Sequence, residues 1–156
     1  MSCNDFDFLI GNWRVAHRRL RKRLAGCTDW DEFGGTCGVR KVLGGQGNVD
    51  DNFIELPGDP YRAVTLRAWD AAARRWTIWW LDGRTPGALD APMVGSFEGS
   101  VGTFLADDTL EGKPIRVRFV WTVPAPGQPR WEQAFSDDRG RTWETNWVMV
   151  FHPLPG

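Results

Sequence analysis

Residues 130–151 have the sequence RWEQAFSDDRGRTWETNWVMVF, and this segment decides how the fold is interpreted. Two short runs that contain Trp, Phe, Val and Thr, residues 130–136 and 142–151, flank the turn residues Asp137-Asp138-Arg139-Gly140. Aromatic and β-branched residues bounded by Asp and Gly are typical of two strands joined by a short connection. The segment therefore predicts an antiparallel pair of strands.

The same pattern extends over the rest of the chain, because 18 glycines and 10 prolines divide it into short apolar runs. Neighbouring runs with short connections pair with each other, and closure of the sheet removes exposed edges. We predict an all-β, up-and-down antiparallel barrel with a short N-terminal helix at Asp5–Ile10, capped by Asp5. The approximately ten strands are expected at 13–24, 30–42, 48–56, 61–69, 76–81, 93–98, 101–106, 115–123, 130–136 and 142–151.

Two connections are expected to be irregular. Residues 83–92 form the longest loop and are the candidate lid or rim of the barrel, and residues 124–129 form a Pro-rich loop. The chain contains no internal repeat and no linker. Its 156 residues therefore predict one domain, 1–156.

Composition and motifs exclude several classes of protein. The formal net charge is −1, which gives no general attraction to nucleic acid or to an anionic membrane, so neither is an expected partner. No apolar segment is long enough to span a bilayer and no secretory signal is visible. Three cysteines without a CxxC pair, and only two histidines, predict reduced thiols, a cytoplasmic location and no metal site. The GxxxxGK, GxGxxG, GxSxG and HExxH motifs are absent, which disfavours kinases, Rossmann oxidoreductases, common serine hydrolases and zinc peptidases.

Two stretches resemble a known family. Residues 6–13, FDFLIGNW, resemble the opening of lipocalin-type, or calycin-like, barrels, in which a short helical turn precedes Gly-x-Trp on the first strand. Residues 136–147, SDDRGRTWETNW, resemble the end of an uncharacterised bacterial family of calycin-like proteins. The resemblance implies that Trp13 closes the barrel floor. It implies no single activity, because calycins include lipid carriers, haem proteins and cofactor-free enzymes.

The ten tryptophans and nine phenylalanines suggest that some rings line a cavity. Ordinary core packing is an equally good explanation for any single Trp. A stripe of Trp76, Ile78 and Trp80 suits stacking against a flat ligand, and an inward arginine would hold a carboxylate or phosphate, whereas an outward arginine is only solvated. The ligand-binding candidates are Trp13, Arg67, Trp76, Trp80, Arg118, Trp121, Gln133, Asn146 and Trp147.

Three residues are candidates for proton transfer: His17, Glu132 and Glu144. The sequence leaves open which face of the last two strands points inward, since each strand has aromatic and polar groups. If the carboxylates point into an aromatic cavity, their pKa values would be raised and they could act as acid or base. The alternatives are a cross-strand ion pair for each glutamate and a hydrogen-bonded core imidazole for His17.

Between Arg14 and Arg23 the chain has six basic residues. Such a run could touch nucleic acid or a protein partner, and a homodimer is one open alternative. Charges lie on both faces from Arg18 to Arg23, which favours a solvated hairpin that projects beyond the barrel, neutralised by Asp29, Asp31 and Glu32.

The leading functional hypothesis is the binding of a small hydrophobic or aromatic molecule, with one polar group, in a Trp-lined cavity without a cofactor. The alternative is a cofactor-free enzyme, such as a cyclase, isomerase or hydratase, that uses the same cavity. A further alternative is a haem-binding barrel with His152 as the axial ligand. A barrel packed shut that serves only as an interaction module is the fourth.

Overall fold

The computed structural model describes residues 1–123 and 128–155. Each strand pairs antiparallel with the next along the chain, and β1 pairs with β10, which closes the barrel. The prediction of an all-β antiparallel barrel of about ten strands is confirmed. The strands are β1 (Gly11–Leu20), β2 (Trp30–Val42), β3 (Gly47–Ile54), β4 (Tyr61–Asp70), β5 (Arg75–Asp82), β6 (Met93–Glu98), β7 (Val101–Leu110), β8 (Lys113–Thr122), β9 (Arg130–Ser136) and β10 (Glu144–Pro153).

The prediction of an N-terminal helix at Asp5–Ile10 is wrong, because the segment forms only one 3₁₀ turn, Asp7–Leu9. Ile10 already has extended backbone angles, and β1 begins at the next residue. Residues three apart eclipse each other in a 3₁₀ turn. The apolar pattern of Phe6 and Leu9 is therefore satisfied by one turn. No helix within residues 1–123 and 128–155 is long and apolar enough to cross a membrane.

Strand bounds differ from the prediction most at β1 and β7. β1 ends at Leu20 rather than residue 24, and β7 continues to Leu110 rather than residue 106. In this extension Asp107 pairs with Arg116 across the hairpin. The polar residues that ended the predicted strand are exposed here, and a solvated hairpin does not require an apolar face.

In the part of the chain that the structure describes, the two irregular connections lie where the sequence predicts them. Residues 83–92 contain no strand and link β5 to β6, which pair over only three residues, from Trp76 to Ile78 on β5. Of the Pro-rich loop predicted at 124–129, residues 124–127 lie outside the described part of the chain.

One end of the barrel is closed by the N-terminal segment. The ring of Phe6, which is 1% exposed, lies 4.9 Å from Trp76 and 5.0 Å from Phe97 in edge-to-face geometry. Trp13 Nε1 donates to the carbonyl oxygen of Leu9 at 2.7 Å and ties this segment to β1. The buried rings thus form a plug at the end where β1 starts. The opposite end, where β1 stops and β4 starts, is open and is lined by the rim residues described below.

Candidate ligand cavity

Above the plug, the barrel interior contains a cavity of about 190 Å³. Trp147 on β10 lies edge-to-face with Trp131 on β9, at 5.3 Å between ring centroids, and with Trp80 on β5, at 6.0 Å. Because each ring is held by another, the wall has a fixed shape. The aromatic lining consists of Tyr61, Trp80, Phe119, Trp121, Trp131, Phe135, Trp147 and Phe151.

The cavity floor is polar and contains a buried ion pair. The Nη2 atom of Arg67 lies 2.7 Å from Oδ2 of Asp50, and both side chains are 4% exposed. Oδ1 of Asp50 accepts from Nδ2 of Asn52 at 2.6 Å and from the backbone N–H of Thr65 at 3.1 Å. Arg67 also donates to Oδ1 of Asn48 at 2.8 Å. A buried ion pair is tolerated only with such additional hydrogen bonds, and this network supplies them.

One nitrogen of the Arg67 guanidinium has no partner. Among the described residues Nε of Arg67 has no hydrogen-bond partner. The group lies 5.1 Å from the ring centroid of Phe6 and 5.6 Å from that of Trp121, so aromatic faces surround it. An unpaired buried N–H is costly. Because Arg67 lines the cavity, its guanidinium is the donor group that an acceptor atom of a ligand at the floor would meet.

The open end of the cavity is organised around Tyr61, the chain's only tyrosine. Its hydroxyl oxygen accepts from Nη1 of Arg19 at 3.1 Å, and the guanidinium of Arg84 lies 3.6 Å from its ring centroid. Arg23 and Asp90 complete this rim. Burial raises the pKa of the Asp90 carboxyl, and the negative charges of Asp108 and Asp82 raise it further. The rim therefore has a basic side and an acidic side.

His17 is buried beside the cavity and does not line it. Its Nδ1 accepts from Nε1 of Trp147 at 3.1 Å, and its ring stacks on Phe33 at 4.8 Å. Burial, together with the positive charge of Arg19, lowers the pKa of His17 to about 3. The ring is thus neutral at physiological pH, and its proton is on Nε2 because Nδ1 is an acceptor.

The two glutamates considered for proton transfer lie away from the cavity lining. Glu132 accepts from Nη1 of Arg130 at 2.8 Å, a pair on the same strand. Glu144 accepts from the backbone N–H of Leu24 at 2.7 Å and so fixes the connection after β1. Both carboxylates have structural partners, and neither contacts the space that a ligand would fill.

The ligand-binding candidates fall into two groups. Five of them line the cavity: Arg67, Trp80, Trp121, Gln133 and Trp147. The remaining four lie outside that lining. Trp13 and Trp76 pack around the plug, Arg118 stacks on Trp143 at 4.4 Å, and Asn146 is fully buried with its Oδ1 accepting from Gln133 at 2.8 Å. His152 pairs with Arg14 on β1 and approaches Gln128 at 3.4 Å rather than the cavity.

A bulge resolves the question of which face of the last two strands points inward. Trp131, Gln133 and Phe135 line the cavity from β9. On β10 the register shifts between Thr145 and Trp147, so strict alternation does not hold along this strand. A bulge adds a residue that has no direct partner and redirects the side chains on either side of it. Glu144 pairs opposite the inward Phe135, so strict alternation would turn Trp147, three residues later, outward. The bulge between them turns Trp147 inward.

Sequence reasoning identified Arg67 but missed its polar partners at the floor and the basic rim. The floor had a signal: Asn48, Asp50 and Asn52 alternate along a strand, which places them on one face. Arg19 and Arg23 belong to the basic run that we expected to project into solvent. Arg18 and Arg21 do lie outside, paired with Glu32 and Asp31, while the other two line the cavity.

Comparisons with known proteins bear on the fold. No family model matches the chain, and no curated protein matches it either. A solved structure does. The crystal structure of Rv2717c from M. tuberculosis is similar with a TM-score of 0.61 and 12% sequence identity, over 99% of this chain and 100% of that one. At this identity the similarity shows a shared barrel fold.

Proposed function

We propose that this protein binds a small aromatic or hydrophobic molecule with at least one hydrogen-bond acceptor, in the barrel cavity. The observation that carries the proposal is an open, ring-lined cavity with a buried, incompletely paired arginine at its floor. Ligand sites are typically concave and mostly apolar, with a few placed polar groups that fix orientation. The acceptor is expected to meet the guanidinium of Arg67, and the apolar part is expected to lie against Trp80, Trp131 and Trp147.

The volume restricts the size of the ligand. About 190 Å³ is smaller than the roughly 300–1,000 Å³ of pockets for drug-sized molecules. We therefore expect a ligand of one or two fused rings, or a short branched chain, rather than a long lipid. The N-terminal resemblance supports the assignment to a calycin-like family, and the cysteine content supports a cytoplasmic location.

Binding is favoured over the cofactor-free enzyme and the haem-binding barrel by the positions of the side chains. His17, Glu132 and Glu144 do not line the cavity, and Asp50, which does, is held in an ion pair. Among the described residues, the floor of the cavity therefore has hydrogen-bonding groups and no unpaired base, and the Asp90 carboxyl lies at the rim. His152 is on the outer side of β10, opposite Arg14.

The test uses 2-naphthamide, a neutral two-ring probe, in a calorimetric titration with the purified protein. We expect saturable binding that weakens at least tenfold in Trp80→Ala, because a ring that stacks on the ligand is lost. Trp79→Ala is the matched control, since Trp79 follows the alternation of β5 to the outer face and packs beside Val64 and Leu66. Absence of binding to the wild type, or equal weakening in both variants, would overturn the proposal.

A further inference from the structure

The basic side of the rim contains three arginines that differ in how far their charges are compensated. Arg84 is fully paired: Nη1 lies 2.6 Å from Asp59 and Nη2 lies 2.8 Å from Asp82. Neither Arg19 nor Arg23 has a carboxylate within ion-pair distance in the described part of the chain. Among the described residues, two neighbouring guanidinium groups at the cavity opening therefore have no carboxylate in direct contact.

Arg19 is held in place by uncharged groups. It donates to the Tyr61 hydroxyl at 3.1 Å, and its guanidinium lies 4.5 Å from the ring centroid of Trp147. These contacts fix the plane of the guanidinium and supply no negative charge to it. Because Tyr61 and Trp147 also line the cavity, Arg19 is positioned at the junction of the ring wall and the rim.

Arg23 has fewer hydrogen-bond partners than Arg19. Its Nε is buried and has no hydrogen-bond partner among the described residues. Burial, and then the positive charge of Arg19, lower the pKa of Arg23 to about 10; Arg84 also lowers it, and Tyr61 and Glu144 raise it. The Glu144 carboxylate is engaged by the backbone N–H of Leu24. An arginine that is both desolvated and repelled by its neighbour is stabilised by an anion.

The acidic residues at the rim do not supply that anion. Asp82 is occupied by Arg84. The charges that act on Asp90 are those of Asp108 and Asp82, not those of Arg19 or Arg23. The charge of Arg19 also acts on Asp82, but the Asp82 carboxylate is in direct contact with Arg84, so a negative group on a ligand would meet arginines that, among the described residues, have no carboxylate within ion-pair distance.

We propose that the ligand carries a compact oxyanion, a carboxylate or a phosphate, which Arg19 and Arg23 bind at the rim while its ring system fills the cavity. This inference rests on the proposed binding function and adds the charge and the orientation of the ligand. Arginine binds both oxyanions through paired N–H donors.

The test compares three probes with one ring system: 2-naphthoate, 2-naphthyl phosphate and the neutral 2-naphthamide. Affinities are measured by calorimetry for the wild type, Arg23→Gln and Arg21→Gln. Arg21 is the matched control, because it is exposed on the same connection and pairs with Asp31 outside the cavity. We expect the better of the two anions to bind at least tenfold more tightly than the amide.

The tighter anion should bind Arg23→Gln at least tenfold more weakly than the wild type. Its affinity for Arg21→Gln should change less than twofold. The affinity of the amide should change less than twofold in both variants. Added NaCl should weaken the anion and leave the amide unchanged. A preference for naphthoate or for naphthyl phosphate identifies which oxyanion the rim accepts. Equal binding of anions and amide would overturn the anion inference and leave the binding function standing. Absence of binding by all three probes would overturn both.

Discussion

Nε1 of Trp147 donates to Nδ1 of His17 at 3.1 Å, across the pair of strands, β1 and β10, that closes the barrel. This bond joins residues 130 positions apart in sequence. It holds an indole that forms part of the cavity wall, and it requires the imidazole to be neutral. Wall geometry and barrel closure are therefore coupled to the protonation of one side chain.

The first prediction concerns acid stability. The folded protein holds the pKa of His17 at about 3, below its ordinary value of 6.5, so the unfolded chain binds more protons between these pH values. His17 thus contributes stability that is complete above pH 6.5 and is lost as the pH falls towards 3, by up to about 1.4 kcal/mol per pH unit. His17→Gln keeps an acceptor for Trp147 but does not titrate.

Urea unfolding of both proteins at pH 7.5, 6, 5 and 4 measures this effect. The difference in unfolding free energy between wild type and His17→Gln should change in favour of the variant as the pH falls. Carboxylates that lose charge in acid are common to both proteins and cancel in the difference. Parallel pH profiles would show that His17 does not contribute.

The second prediction concerns the floor of the cavity. Arg67→Met leaves the Asp50 carboxylate buried without its counter-ion, which should cost about 3–5 kcal/mol of unfolding free energy. Arg67→Met combined with Asp50→Asn removes both charges and should be less destabilised than the sum of the single variants. A double-mutant cycle by chemical denaturation measures the coupling, and additive effects would contradict a direct ion pair.

The third prediction concerns the plug. Phe6→Ala removes a ring that contacts Trp76, Phe97, Phe104 and Trp121, and should cost about 3–5 kcal/mol. Phe8→Ala removes a ring that is only partly buried and serves as the comparison. If Phe8→Ala is as destabilising as Phe6→Ala, Phe6 is not the centre of the plug.

The fourth prediction is that the rim reduces the stability of the unliganded protein. Replacement of Arg23 by Gln should raise the unfolding free energy by about 0.5–1 kcal/mol, because burial and the charge of Arg19 both disfavour the guanidinium. Arg21→Gln, which loses an exposed ion pair, should change it by less than about 0.5 kcal/mol. Thermal and urea unfolding without ligand provide the comparison, and a less stable Arg23→Gln would contradict the prediction.

The barrel could be predicted from sequence because glycines and prolines mark nearly every strand end, and β2, β6 and β9 begin and end where expected. The inward face of β10 could not, because a bulge between Thr145 and Trp147 interrupts the two-residue period from which faces are inferred. The position of Arg23 at the cavity could not be predicted for a related reason. It lies beyond the end of β1, where no strand period applies, and only the folded connection places it over the cavity.

The pairing of β1 with β10 has a consequence for biosynthesis. The emerging chain can form each successive hairpin on the ribosome, yet the wall of rings has no Trp147 until β10 has been translated. The cavity wall is therefore complete only after synthesis of the last strand. Until then the aromatic inner surface of a partly built sheet and its unpaired edge are exposed, which is the condition under which partly folded chains aggregate.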